Sequence, residues 1–221
     1  MAVRSKTILI FGESDTDRAA LAELFRALRP DLQAVGIQKL REPLILMKPD
    51  NRLSTQRNTT NRIAGLVQAQ GVSKAVLAVI VHQDCDEVEP GHTALADKIE
   101  KDLRAANVPN PIAATPAWEI EAWWMLFPDA VQATRPCWAP INFGDRDVGR
   151  IHNAKEELQR RLRPVSAHDR AKCPDYAEAD GIEIARKIRT KGLIDNVTGL
   201  SASFSDFKGK IRNLKIGSRP L

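Results

Sequence analysis

Thr7-Ile8-Leu9-Ile10-Phe11-Gly12-Glu13-Ser14-Asp15-Thr16-Asp17 decides how the chain is read. Thr7 to Phe11 is a short apolar run, mostly β-branched, of the kind buried on both faces of a parallel sheet. It stops at Gly12 and gives way to acidic residues, as a strand does when it feeds a loop. From Asp17 onward, Ala19, Ala20, Leu21, Leu24, Phe25 and Leu28 recur at helical spacing, with Ser14, Asp15 or Thr16 available as the N-cap. Glu13 is thereby expected at the carboxyl end of a central strand, where open α/β sheets hold their ligands.

Ala75-Val76-Leu77-Ala78-Val79-Ile80-Val81 is the most continuous apolar run in the chain, and it ends in His82-Gln83-Asp84-Cys85-Asp86-Glu87. If the backbone stays extended there, Asp84 and Asp86 project to one side together. Two close carboxylates repel unless a cation or a shared proton intervenes, and oxygen-only ligands favour a hard ion, Mg²⁺ or Mn²⁺.

Outward from these two strands, Leu32 to Ile37 reads as a weaker strand, and Leu44 to Met47, between Pro43 and Pro49, as another; one of the two is expected at a sheet edge. The polar stretch from Lys48 to Thr60, with Arg52 and Arg57, predicts a loop, followed by a helix through Ile63, Leu66 and Val67 that Gly71 stops. Thr93 to Ala106 has helical periodicity, and Ile112 to Ala114 follows as a strand. Strands alternating with helices imply an α/β fold with a mainly parallel sheet flanked by helices and right-handed crossovers.

Pro116 to Phe127 predicts one helix, with Ile120, Trp123, Trp124 and Phe127 on an apolar face and Glu121 beside it. A carboxylate rooted among aromatics is costly to desolvate unless it meets a metal or a base; on the helix rim it reaches water instead. Pro136 to Gly149 reads as a linker or lid. Beyond it, Ala154 to Leu162, Ile182 to Ile188 and Phe204 to Leu214 are amphipathic and basic. The expected division is a core over residues 1–134 and a basic helical region over 135–221.

Charge follows that division. Lys and Arg number 15 against 17 Asp and Glu in residues 1–134, a balance of −2, but 18 against 11 in 135–221, a balance of +7. An acidic centre joined to a basic appendage suits a polyanionic substrate, although a merely solvated basic surface has the same composition. Apolar runs fall short of a membrane span and the N-terminus lacks a signal-peptide layout, so the expectation is a cytoplasmic protein. Cys85, Cys137 and Cys173, odd in number and widely spaced, argue against a disulfide framework.

Glutamate after the first strand, an acidic residue four places on, and Asp-x-Asp after a later strand resemble the Toprim domain of topoisomerases, primases and OLD-family nucleases. The matching positions are Glu13, Asp17, Asp84 and Asp86, with Ser14 where that family usually has glycine. The Glu119-Ile120-Glu121 segment with its apolar followers looks like a family of small Toprim-like proteins commonly encoded beside an ATPase in bacterial defence islands. In that family the second glutamate, Glu121, is the stronger mark. The likeness continues through Asn153-Ala154-Lys155, through Asp180-Gly181 with Ile184-Ala185, and to Phe204-x-x-Phe207. The resemblance implies a Mg²⁺- or Mn²⁺-dependent nuclease acting on DNA or RNA in antiviral defence, with an ATPase partner. Glu13, Asp17, Asp84, Asp86 and Glu121 would be its metal ligands, and Lys155 would neutralise charge on the phosphate under attack.

Two other readings stay open: a non-catalytic Toprim-like module that senses or docks a partner or nucleic acid, and a receiver-like phosphoacceptor using Asp84. His82 reads either as a ligand orienter or as a structural histidine. Cys85 is a poor nucleophile between acidic neighbours. P-loop, GxGxxG and nucleophile-elbow motifs are missing from the sequence, and Tyr176 stands far from the motifs along the chain.

Overall fold

A computed structural model of the chain describes residues 4–40 and 53–215. Among the described residues four strands, β1 (Ser5–Phe11), β2 (Gly36–Lys39), β3 (Lys74–His82) and β4 (Pro111–Ala114), form one sheet in the order β2-β1-β3-β4. Every pairing is parallel. The expected α/β fold with a parallel sheet flanked by helices is therefore present.

Alternation along the strands divides the core into two layers. Ile8, Ile10, Ala78, Ile80, Ile112 and Ala114 face one side, where α1 (Asp15–Leu28), α8 (Glu178–Thr190) and α9 (Ala202–Arg212) contribute Leu21, Leu24, Ile184, Phe204 and Phe207. Leu9, Phe11, Val79, Val81 and Ala113 face the other, under α2 (Leu53–Gly71) and α3 (His92–Ala105). Both faces being covered explains why β1 and β3 read as unbroken apolar runs. The basic C-terminal helices share the first layer with the N-terminal strands. Arg189 on α8 ion-pairs with Glu23 on α1 at 2.5 Å, and Arg29 donates to the Leu214 carbonyl oxygen at 2.8 Å.

Local chemistry sets the element ends. Ser14 is the N-cap of α1, its hydroxyl accepting from the Asp17 amide at 3.0 Å. Its backbone is extended, at φ −120°, so nothing in this position requires glycine. β2 begins at Gly36 instead of Leu32, because Pro30, with its fixed φ and missing N–H, starts a 3₁₀ turn over Pro30–Leu32. α2 starts earlier than composition suggests: Thr60, Ile63 and Val67 are buried on one face while Arg57 and Asn58 stand in solvent, so the polar stretch is an outer helical surface. The Leu44–Met47 run and Arg52 lie outside the described residues.

Three expectations fail. The helix read over Pro116 to Phe127 is absent; only one turn, α4 (Glu121–Trp124), forms before α5 (Pro128–Thr134). Residues 116–118 instead pair with the loop after β3. The Cys85 amide donates to Pro116 O at 3.1 Å, the Asp86 amide to Trp118 O at 3.3 Å, and the Trp118 amide to Glu87 O at 2.9 Å. Backbone groups spent on this ladder are lost to a helix. The second failure concerns the cysteines: Cys137 and Cys173 form a disulfide across 36 residues, leaving Cys85 as a free thiol. An odd count excludes only complete pairing. The segment between α5 and α6 (Ala154–Leu162), read as a linker or lid, holds a 3₁₀ turn at Val148–Arg150 and buries Trp138, Ile141, Phe143 and Val148 in the main core. A short helix, α7 (Ala167–Arg170), follows α6.

Candidate functional site

Chain order reverses direction between β1 and β3: the crossover from β1 leads to β2 on one side, that from β3 to β4 on the other. The crevice at such a switch point is the ligand site of open α/β sheets. Phe11 and Val81 are register partners there, so Glu13 and Asp84 leave the sheet from adjacent strand ends. Gly12 is needed for that closeness, because a Cβ at this position would lie 3.0 Å from the His82 Cβ. The buried Arg18 guanidinium donates to the Gly12 carbonyl and ion-pairs with Asp15, pinning the turn.

His82, the last residue of β3, is fully buried, with Nε2 3.3 Å from Asp84 Oδ1 and Nδ1 3.7 Å from Asp17 Oδ2. Burial alone would lower its pKa, but the combined fields of Asp84, Asp17 and Glu13 outweigh it and raise the imidazole to about 9. At neutral pH His82 is a cation set beneath three carboxylates. Neither ring nitrogen nor Asp84 Oδ1 has a hydrogen bond, so the attraction is electrostatic, without aligned donors.

A second wall comes from distant parts of the chain. Glu121 at the start of α4 is 5 % exposed, and the Tyr176 hydroxyl donates to its Oε1 at 3.1 Å. Desolvation, reinforced by Asp84 and Glu119, pushes Glu121 up to about 7 against the pull of the Tyr176 hydrogen bond. Half-buried Glu119 is raised by desolvation and by Asp84, while accepting the Lys155 amide at 3.1 Å from the first turn of α6. The Lys155 ammonium pairs with Glu178, which raises its pKa, and it also feels Glu121 and Glu119.

Asp84 thus links the two walls: it acts on His82, and through it shares a centre with Glu13 and Asp17, and it acts on Glu121 and Glu119. Asp86 stands differently. It is exposed in the left-handed region at φ 54°, so the backbone does not stay extended and the two-residue alternation that would aim Asp84 and Asp86 together does not apply. Cys85 between them is held up at about 11 by burial and by Glu87, which keeps the thiol protonated and inert.

Sequence reading missed Tyr176 and undervalued Glu119. The sole tyrosine is 55 residues from Glu121 in the chain yet buried against it. Glu119 carried a signal in the Trp-Glu-Ile-Glu-Ala-Trp run, where two glutamates enter an aromatic segment together.

The donor chemistry fits a hard divalent ion: the oxygen donors are all carboxylates, and Glu121, desolvated by burial and flanked by Asp84 and Glu119, is lifted well above the carboxylate range. The spacing does not make a complete cage, since among the described residues no three His, Cys, Asp or Glu groups stand close enough to hold an ion unaided. Such a partial set suits Mg²⁺, which is usually held by one or two carboxylates together with water and substrate phosphates. No protein-family model, curated protein or solved structure matches the chain.

Proposed function

We propose that the switch-point crevice hydrolyses phosphodiester bonds of DNA or RNA with Mg²⁺ or Mn²⁺ bound. The observation that carries this reading is Asp84, placed at the switch point with Oδ1 3.3 Å from His82 Nε2 and acting on both Glu121 and the Glu13 side of the crevice. Asp84, with one further carboxylate from Glu13 or Glu121, would hold the ion, with water and phosphate oxygens completing its shell. When bound, it activates the attacking water and stabilises charge on the leaving oxygen.

The chain's own groups do the rest. Tyr176 holds Glu121 in place, Arg18 fixes the turn that carries Glu13, and Lys155, parked on Glu178, can transfer its charge to an arriving phosphate. The +7 balance of residues 135–221 supports a polyanionic substrate. Action within a defence system under an ATPase partner follows from the resemblance of the Glu119–Glu121 segment. Among the described residues no helix is long and apolar enough to cross a membrane.

Asp84→Asn and Glu13→Gln should each lower Mg²⁺-dependent cleavage of nucleic acid by roughly 100-fold or more, with circular dichroism unchanged. Cleavage that survives EDTA, or survives Asp84→Asn, refutes the reading.

One observation favours a second reading. Protonated His82 already neutralises part of the acidic cluster, so the fold can tolerate these carboxylates without an ion, as a sensing or docking module would. Calorimetric titration with Mg²⁺ and Mn²⁺ separates the two, because the docking module takes up neither ion stoichiometrically.

A further inference from the structure

Tyr176 lies in a stretch, residues 174–177, without helix or strand, yet it is 3 % exposed and delivers its hydroxyl to the acidic site. Side chains from residues 135–138 hold it there. The Trp138 indole N–H donates to Pro174 O at 2.8 Å, and its ring centroid lies 6.0 Å from that of Tyr176. Arg135 grips Asp180 Oδ1 through two nitrogens, at 3.0 and 2.7 Å, while Asp180 Oδ2 accepts the Ala177 amide at 2.9 Å. Gln159 adds one bond to the Tyr176 carbonyl oxygen, at 3.1 Å. Between Trp138 and Tyr176 runs the covalent tie, Cys137 to Cys173, three residues ahead of the tyrosine.

We propose that the Cys137–Cys173 disulfide is a redox-modifiable strap that holds Tyr176 on Glu121, and that its reduction by a dithiol releases the tyrosine and alters the acidic site. The consequence for catalysis rests on the phosphodiesterase reading; the strap itself does not. Cys137 is exposed and Cys173 is 7 % exposed, so the outer sulfur is the point of attack. A thiolate of the dithiol bonds to Cys137 Sγ, the Sγ–Sγ bond breaks, and Cys173 leaves as a thiolate that takes up a proton. The second thiol of the reductant then closes its own disulfide and releases Cys137 as a thiol. Two electrons and two protons have passed to the protein, and the dithiol is oxidised.

With the tie cut, residues 174–177 lose a covalent anchor and keep only side-chain hydrogen bonds and packing, and Tyr176 lies outside any helix or strand that would hold its phenol on Glu121. Its loss leaves the buried Glu121 carboxylate without the hydroxyl donor that orients it. A carboxylate no longer fixed in orientation binds a divalent cation less well.

A single tyrosine makes the test direct. Full-length protein carrying 3-fluorotyrosine has one fluorine NMR resonance, which Tyr176→Phe removes and so assigns. Dithiothreitol should move that resonance, and the exposed-site variant Cys137→Ser should show the moved position without reductant, with helical circular dichroism retained in both. Metal-dependent cleavage should fall by about 10-fold on reduction, and this redox dependence should vanish in Tyr176→Phe. A resonance unmoved by dithiothreitol and by Cys137→Ser overturns the strap, whatever the activity. A moved resonance in a protein that cleaves nothing in either redox state supports the strap and sinks the phosphodiesterase reading alone.

Discussion

The two walls of the acidic crevice are built in different ways. Glu13, Asp17, His82 and Asp84 stand within a few residues of β1 or β3, whose apolar runs and mutual register fix where they emerge. Glu119 and Glu121, Lys155, and Tyr176 come from three segments far apart in the chain: a loop running into α4, the first turn of α6, and a stretch without helix or strand. Side-chain bonds spanning up to 55 residues hold them in place. A wall made by strand ends is a property of the sheet; a wall made by cross-links can be lost while the sheet survives.

Trp123→Ala tests the cross-linked wall most severely. Trp123 is fully buried, stacks on Phe207 at 5.1 Å, and donates its indole N–H to Ser203 at 3.0 Å. The substitution should cost roughly 3–5 kcal/mol by denaturant unfolding and displace Glu121, whereas β1 and β3 amides should keep their slow hydrogen exchange. Uniform loss of protection would show that the walls are not separable.

Gly12→Ala attacks the strand-end wall. The added methyl would press on the first side-chain carbon of His82, which is anchored in a buried strand, so the cost should be about 1–3 kcal/mol. An unchanged melting temperature would mean that β1 and β3 can part there freely.

Titration should give each wall its own window. Glu121 rises from 4.5 to about 7 on folding, so its contribution to stability is lost as pH rises across that interval. His82 rises from 6.5 to about 9; its contribution is complete below the lower value and gone above the upper. Thermal melts should therefore decline toward alkaline pH in two stages, and Asp84→Asn should flatten the His82 stage while leaving most of the Glu121 stage, which desolvation sets. Stability that increases through either window contradicts the assignment.

The smallest effect belongs to Arg189→Ala. Its ion pair with Glu23 joins α8 to α1 in partly exposed surroundings, so the loss should stay within about 1 kcal/mol by chemical denaturation.

Legibility in the sequence followed the same division. Both apolar strands ran into acidic residues, so sheet type, strand order in the chain and the places of Glu13 and Asp84 could be read locally. The Trp118–Ile120 stretch could not, since apolar spacing cannot register backbone bonds to the loop after β3, nor the left-handed turn at Trp118, φ 60°. Asp86 misled for a similar reason: alternation presumes an extended backbone. Tyr176 and the cysteine pair depend on contacts between residues far apart, for which a single sequence has no periodicity to show.

The face of α1 that α8 and α9 cover carries a cost in time. Glu23 waits for a residue 166 positions later in translation before its partner exists, and Ile8, Ile10 and Ile80 wait with it for Phe204 and Phe207. During synthesis the nascent sheet leaves the ribosome with that side covered by α1 alone, and its remaining apolar surface stays exposed until the downstream helices arrive.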